Sequence, residues 1–153
     1  MNIKGRLIEA HVFKIEDGKM KFLLLKRGNR EIYPYMWQMV TGRMEEGEKA
    51  WQTALREIKE ETGLNPVRFW VLPNVNSFYS PESDAVVLIP VFASEVSPEQ
   101  HVVLSEEHID YQWVDYEECI AAVVWPGHRK SIEILYEYYN KRRKDLDLVE
   151  MKL

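Results

Sequence analysis

The chain has 153 residues, 46% of them hydrophobic, which suits one domain with a sizeable core. Its formal charge of −5 argues against broad nucleic-acid binding, which calls for a basic surface, but not against a small phosphorylated ligand neutralised locally by metal ions. Cys119 is the sole cysteine, so an intramolecular disulfide and a cysteine-based zinc cluster are both excluded.

The N-terminal stretch is charged throughout and has no apolar core of a secretion signal. Leu7–Ile15 reads as a strand, Asp17-Gly18 as a turn, and Met20–Lys26 as a second strand. Gly28–Tyr35 is polar, with Gly and Pro, and reads as a loop before a short strand at Trp37–Thr41. From Glu48 to Thr62 the period becomes helical, with Ala50, Ala54, Leu55 and Ile58 on one apolar stripe. Gly63 fits the left-handed residue that closes such a helix. Val67–Tyr79 and Ala85–Val96, rich in Val, Phe and Ile, read as long strands, and Tyr111–Val114 as a short one. Tyr116–Val124 and Gly127–Lys144 read as helices. The longest apolar run, Ala85–Ala93, falls well short of the ~20 residues that span a bilayer, so a cytoplasmic protein is expected. No repeat or Gly/Ser linker interrupts the chain, and residues 1–153 are expected to form one continuous domain. Interleaved strands and helices predict an α/β protein, a mixed sheet with helices on both faces.

The informative segment runs from Gly42 to Leu64, GRMEEGEKAWQTALREIKEETGL. On the predicted helix Glu57, Glu60 and Glu61 stand at i, i+3 and i+4, so all three can project from one side. Like charges at these spacings repel by ~0.2–0.5 kcal/mol per pair, and the last turn of a helix disfavours anions. Divalent cations would remove both penalties, and hard carboxylate oxygens are what Mg²⁺ prefers. Taken alone, REIKEE reads rather as a solvated helix face, its repulsion softened by Arg56 and Lys59.

The whole segment decides between the two. Gly42, Glu48, Arg56, Glu57, Ile58, Glu60, Glu61, Gly63 and Leu64 occupy every defined position of the Nudix box, and the chain resembles the Nudix hydrolase family. Its WQMVTG segment, where many relatives read Pro-Gly-Gly, is similar to the branch holding dihydroneopterin triphosphate pyrophosphatase and dATP pyrophosphohydrolase. The LLLKR, SFY and LSEEHIDYQWV segments extend that likeness. The resemblance implies an α/β/α sandwich in which the box forms a loop–helix–loop beside the sheet. It implies metal ligation by Glu57, Glu61 and Glu60, with the Gly42 carbonyl as a further ligand, and Arg56 bracing the loop through Glu48. Mg²⁺ is the implied cofactor, with Mn²⁺ as a substitute.

Outside the box, the branch places a metal-binding Glu directly before a His, which makes Glu107 the candidate further ligand or general base, with Glu106 beside it. Arg27 ends the LLLKR strand and is a candidate for bidentate phosphate pairing; Thr41 and Lys4 are candidate substrate contacts. Tyr35, Trp37, Phe78 and Tyr79 are candidates for stacking on a flat base, although aromatics are more often core. The four histidines show no ligand spacing and receive no metal.

The implied reaction is Mg²⁺-dependent hydrolysis of a diphosphate linkage in a nucleoside triphosphate or related nucleotide, dATP-like or dihydroneopterin triphosphate. Its products would be the monophosphate and pyrophosphate, with Glu107 and Glu60 as the catalytic candidates. Dinucleoside polyphosphates and ADP-ribose are alternative substrates, and a non-catalytic nucleotide-sensing module is the alternative role. The partner expected is a small nucleotide or pterin triphosphate rather than a nucleic-acid polymer or a membrane, and a homodimer is compatible with the reading.

Overall fold

Period-two alternation builds the centre of the molecule. Strand β2 (Leu7–Glu16) turns Ile8, Ala10 and Val12 to one face and Phe13 to the other; β3 (Lys19–Arg27) likewise separates Leu23 and Leu25 from Phe22 and Leu24. All eight are buried, so both faces need a covering layer. The hairpin between them turns at Asp17 and Gly18, both with positive φ (52° and 76°), the backbone that a tight primed turn requires.

The computed structural model describes residues 1–153. Around β2 and β3 lie β1 (Asn2–Lys4), β4 (Trp37–Gln38), β5 (Val40–Arg43), α1 (Ala50–Thr62), β6 (Arg68–Ser80) and β7 (Ala85–Glu95). There follow β8 (His108–Val114), α2 (Tyr116–Ala122), α3 (Pro126–Lys141), α4 (Arg143–Asp147) and β9 (Glu150–Met151). The strands form one nine-stranded sheet ordered β4-β3-β2-β7-β6-β9, with β1 beside β7, β5 beside β2 and β8 beside β3. β7 runs parallel to β2 and β1, and the other pairs are antiparallel, so the sheet is mixed as expected.

Two cores result. On one face Ala54 and Ile58 of α1 pack with Ile8, Val12, Phe69 and Phe92. On the other, Ile132 and Leu135 of α3 and Leu146 of α4 pack with Phe13, Trp70 and Leu72. No helix is long and apolar enough to cross a membrane.

The structure corrects several element boundaries. β1 and β9 were not expected, being too short to show a period; β1 exists only because register with β7 pairs Ile3 with Val86. β8 begins at His108 rather than Tyr111, through pairing with β3. The expected last helix is broken at Arg142, whose φ of −134° leaves the helical region and whose Nε donates to Asp145 (2.8 Å). α1 starts at Ala50, not Glu48, because the Gln52 side chain accepts from the Lys49 N–H (2.9 Å) and Glu48 is engaged in the loop. Gly63 closes α1 as expected, at φ 72°, its N–H donating to the Lys59 carbonyl (2.9 Å).

Candidate active site

The apolar stripe of α1 faces the sheet, which directs the flank bearing Glu57 and Glu61 toward β5. The register of β5 against β2 places Gly42 opposite Ile8, directly under Glu57. A Cβ on Gly42 would overlap the Glu57 side chain, so the box glycine is required by close approach of helix and strand.

Arg56 organises the loop between them. Its Nε and Nη2 donate to the two Glu48 oxygens (2.7 and 3.0 Å), and Nη2 also donates to the Arg43 carbonyl (3.1 Å). Nη1 donates to Glu57 (2.7 Å) and Glu60 (3.1 Å). The guanidinium contact, with further hydrogen bonds from the Glu45 N–H and Thr53, holds the Glu48 carboxyl down at about 2. This guanidinium lets one side chain position three carboxylates and a backbone segment together.

Glu61 sits in an unfavourable place for a carboxylate. Its side chain is 3% exposed, and its Oε2 has no hydrogen-bond partner. Burial, then the nearby charges of Glu57 and Glu107, push its carboxyl up to about 10. Burial raises Glu57 as well, against the pull of Arg56. An unsatisfied buried acceptor costs about 1–3 kcal/mol, more when charged.

These groups line a cleft of about 330 Å³ with no apolar side chain. Gly42, Glu57, Glu61 and Glu107 bring the acidic side, and Arg27 and Thr41 complete it, so six of the residues expected from the sequence meet in one place. Arg27 is tied to the following loop by its Nε, which donates to the Ile32 carbonyl (2.7 Å), and by Glu31 (3.5 Å). Glu60 does not join the lining; it is exposed and turned to Arg56. Lys4 lies in a second cleft of about 420 Å³ with Arg6, Phe78 and Ser80, and the two clefts share Arg43. Glu106 is exposed and lines neither cleft. Of the candidate aromatics, Phe78 lines the second cleft, Tyr35 and Tyr79 are exposed outside both, and Trp37 packs against the core.

Sequence reasoning missed Glu31, Arg43 and His108 in the cleft. Arg43 and His108 adjoin Gly42 and Glu107 in the chain, the one signal that could have flagged them. The imidazole of His108, 2% exposed, is pushed down to about 4 by burial and by the charge of Arg27, so it is neutral at neutral pH. Ligand atoms of Glu61, Glu107 and His108 lie within 4.8 Å of one another. Hard donors converging on a buried, unpartnered carboxylate oxygen fit a divalent cation, whose charge would restore Glu61 to its ionised form.

A mixed sheet between helical layers, with a cleft that sets carboxylates opposite an arginine, defines an α/β protein whose cleft residues could hold a metal ion. Comparison with known proteins agrees. The NUDIX domain model matches residues 5–135, and the chain belongs to the Nudix family. The chain is 27% identical over 139 residues to the dihydroneopterin triphosphate diphosphatase of Escherichia coli K12, covering 80% of this chain and 86% of that protein. It is 32% identical over 130 residues to an octanoyltransferase of Myxococcus xanthus, covering 84% of this chain but only 36% of that protein, so it spans about a third of that relative. The crystal structure of a Nudix hydrolase from Listeria monocytogenes superimposes with a TM-score of 0.75 at 26% identity, over 92% of this chain and 97% of that one. The domain and its near-full-length relatives are pyrophosphohydrolases, a class of hydrolase, which is the enzyme class expected from the sequence.

Proposed function

We propose that this chain, as one Nudix domain, hydrolyses a diphosphate linkage in a nucleoside triphosphate or related nucleotide, dATP-like or dihydroneopterin triphosphate, giving the monophosphate and pyrophosphate. The observation that carries the reading is the buried, unpartnered Glu61 carboxylate, set beside Glu57 and Glu107 in a cleft faced by Arg27. Glu57 and Glu61 would hold Mg²⁺, with the Gly42 carbonyl as a further ligand and Glu60 at the rim. When bound, Mg²⁺ lowers the pKa of the attacking water and neutralises phosphate charge. Glu107, exposed at the cleft mouth, is a further ligand of the cation and the group that orients that water and takes its proton. Arg27 and Thr41 hold the phosphates next to the carboxylates, and Lys4 binds the far end of the substrate from the adjoining cleft. The likeness to a dihydroneopterin triphosphate diphosphatase supports the substrate class. The lone Cys119, buried and free, fits the cytoplasmic location that goes with this reading.

The second cleft favours one alternative substrate class. Lys4, Arg6 and Arg43 bring three cations and no carboxylate to it, next to the half-exposed ring of Phe78. Such a surface suits the longer phosphate chain and second base of a dinucleoside polyphosphate.

The test is a screen with Mg²⁺ of dATP, dihydroneopterin triphosphate, a dinucleoside polyphosphate and ADP-ribose, with the products identified. Hydrolysis of at least one is expected, and no hydrolysis of any would overturn the proposal. With the preferred substrate, Glu107→Gln should lower kcat by at least ~10²-fold with KM little changed, because the lost interaction matters mainly in the transition state. Unchanged turnover would remove Glu107 from the chemistry.

A further inference from the structure

His108 opens β8 at an irregular point of the sheet. The pairing of β8 with β3 shifts register between Lys26 and Arg27, which places His108 opposite Arg27. The preceding carbonyl, that of Glu107, accepts from the Gly28 N–H (3.0 Å) and pins the entry to the strand. The result is that Glu107, just before the strand, and His108, its first residue, reach the same cleft instead of opposite faces.

The imidazole has no structural employment that explains it. It is almost completely buried, and its Nδ1 has no hydrogen-bond partner. Its Nε2 makes no hydrogen bond either; the nearest carboxylate oxygen is Glu61 Oε1 at 3.6 Å, beyond hydrogen-bond range. The Oε2 of the same carboxylate is likewise buried and unpartnered. Two buried, unbonded polar side chains thus face each other across a gap too wide for a hydrogen bond. Two ligands each ~2.1 Å from one ion stand roughly 3.0–3.5 Å apart, so a small shift lets both grip a shared cation. The exposed Glu107 carboxylate is free to swing in as a third ligand.

We infer that His108 Nε2 is a nitrogen ligand of the cation held by Glu61 and Glu107, making a mixed oxygen–nitrogen site that selects Mn²⁺ over Mg²⁺. The inference rests on reading this cleft as a divalent-cation site. Imidazole suits first-row transition metals, whereas Mg²⁺ keeps to oxygen ligands and water. One nitrogen among oxygens therefore changes which metal the site prefers without changing its charge.

The experiment uses the whole chain without substrate. Mn²⁺ is titrated by electron paramagnetic resonance, Mg²⁺ by competition, and pulsed measurements on the Mn²⁺-loaded protein read out coupling to ¹⁴N. The parent protein should show directly bound ¹⁴N. His108→Gln, which offers an amide oxygen in place of the ring nitrogen, should abolish that coupling. It should weaken Mn²⁺ binding by at least about 10-fold while altering Mg²⁺ binding far less. Absence of ¹⁴N coupling in the parent overturns the inference without need of any variant, as does equal weakening of both cations by His108→Gln. Failure of the hydrolysis screen alongside a clear ¹⁴N signal would instead remove the pyrophosphohydrolase reading and leave the metal site standing.

Discussion

Glu61 sits where a carboxylate is costly, and its titration follows from that. Its folded pKa of about 10 lies above the ordinary value of 4.5, so without metal the folded state holds a proton that the unfolded state releases. The stability this group contributes is fully present below about pH 4.5 and is lost as pH rises toward 10. Glu61→Gln removes that loss. In EDTA, the Tm of the variant relative to the parent should therefore climb between about pH 6 and pH 9. A constant difference across that range would mean the carboxyl is not held protonated. With Mg²⁺ and substrate, the same variant should turn over at least ~10²-fold more slowly, the scale for losing one strong electrostatic contact in a site. Glu57, Glu60 and Glu61 all stand on one side of the helix in the sequence pattern, yet only Glu57 and Glu61 enter the cleft. Spacing could not separate them: Arg56 Nη1 bonds Glu57 and Glu60 alike, yet Glu57 lines the cleft and Glu60 stays exposed.

α1 and β5 form the working element, and their contact is closer than side chains normally allow. Gly42→Ala should push Glu57 off its position above β5, since the added methyl occupies that space. Mg²⁺ affinity should fall by at least about 10-fold while helix content and Tm stay near the parent values. Calorimetric titration beside circular dichroism checks both, and intact affinity would show that the helix can lift away freely. The extent of α1, its apolar stripe and its Gly63 cap were legible because they depend on local periodicity and backbone conformation. Its true start was not. Periodicity carries the helix back to Glu48, whereas Arg56, the loop partner that the family resemblance implied, claims both its oxygens and holds it outside the first turn.

Across the whole molecule, α3 is fastened to the sheet by a buried polar network that no sequence pattern announced. His128 Nε2 lies 2.6 Å from Glu9 Oε2 on β2, while Asn76 of β6 donates to the other Glu9 oxygen and to Ser131 of α3. Burial alone would raise the Glu9 pKa, but the His128 hydrogen bond and charge, with Asn76, bring it below 4.5. The stability from Glu9 is thus present above about pH 4.5 and lost as pH falls through its lower folded value. His128→Ala leaves a buried charge without its main partner and should cost about 3–5 kcal/mol at pH 7. Urea unfolding at pH 7 and pH 4 measures this, and the penalty should shrink at the lower pH. A loss below ~1 kcal/mol, the scale of an exposed pair, would mean water reaches Glu9.

The sequence by itself determined the features that depend on near neighbours. These are the alternating strands β2, β3, β6 and β7, the box helix with its cap, and six residues of the cleft: Gly42, Glu57 and Glu61 carried by a motif whose spacing is local chemistry, and Arg27, Thr41 and Glu107 picked out from the segments outside it. The tertiary structure decided what depends on register and long-range packing. Short β1 and β9 exist only by pairing, Arg142 breaks the last helix, and Glu9 finds His128 across 119 residues of chain. His108 belongs to the same group: adjacency to Glu107 marks it as a neighbour of the site, but the shift in the β3–β8 register decides that its ring reaches Glu61. Periodicity records which face a residue presents, whereas a site needs the distance between faces, and only the folded sheet sets that distance.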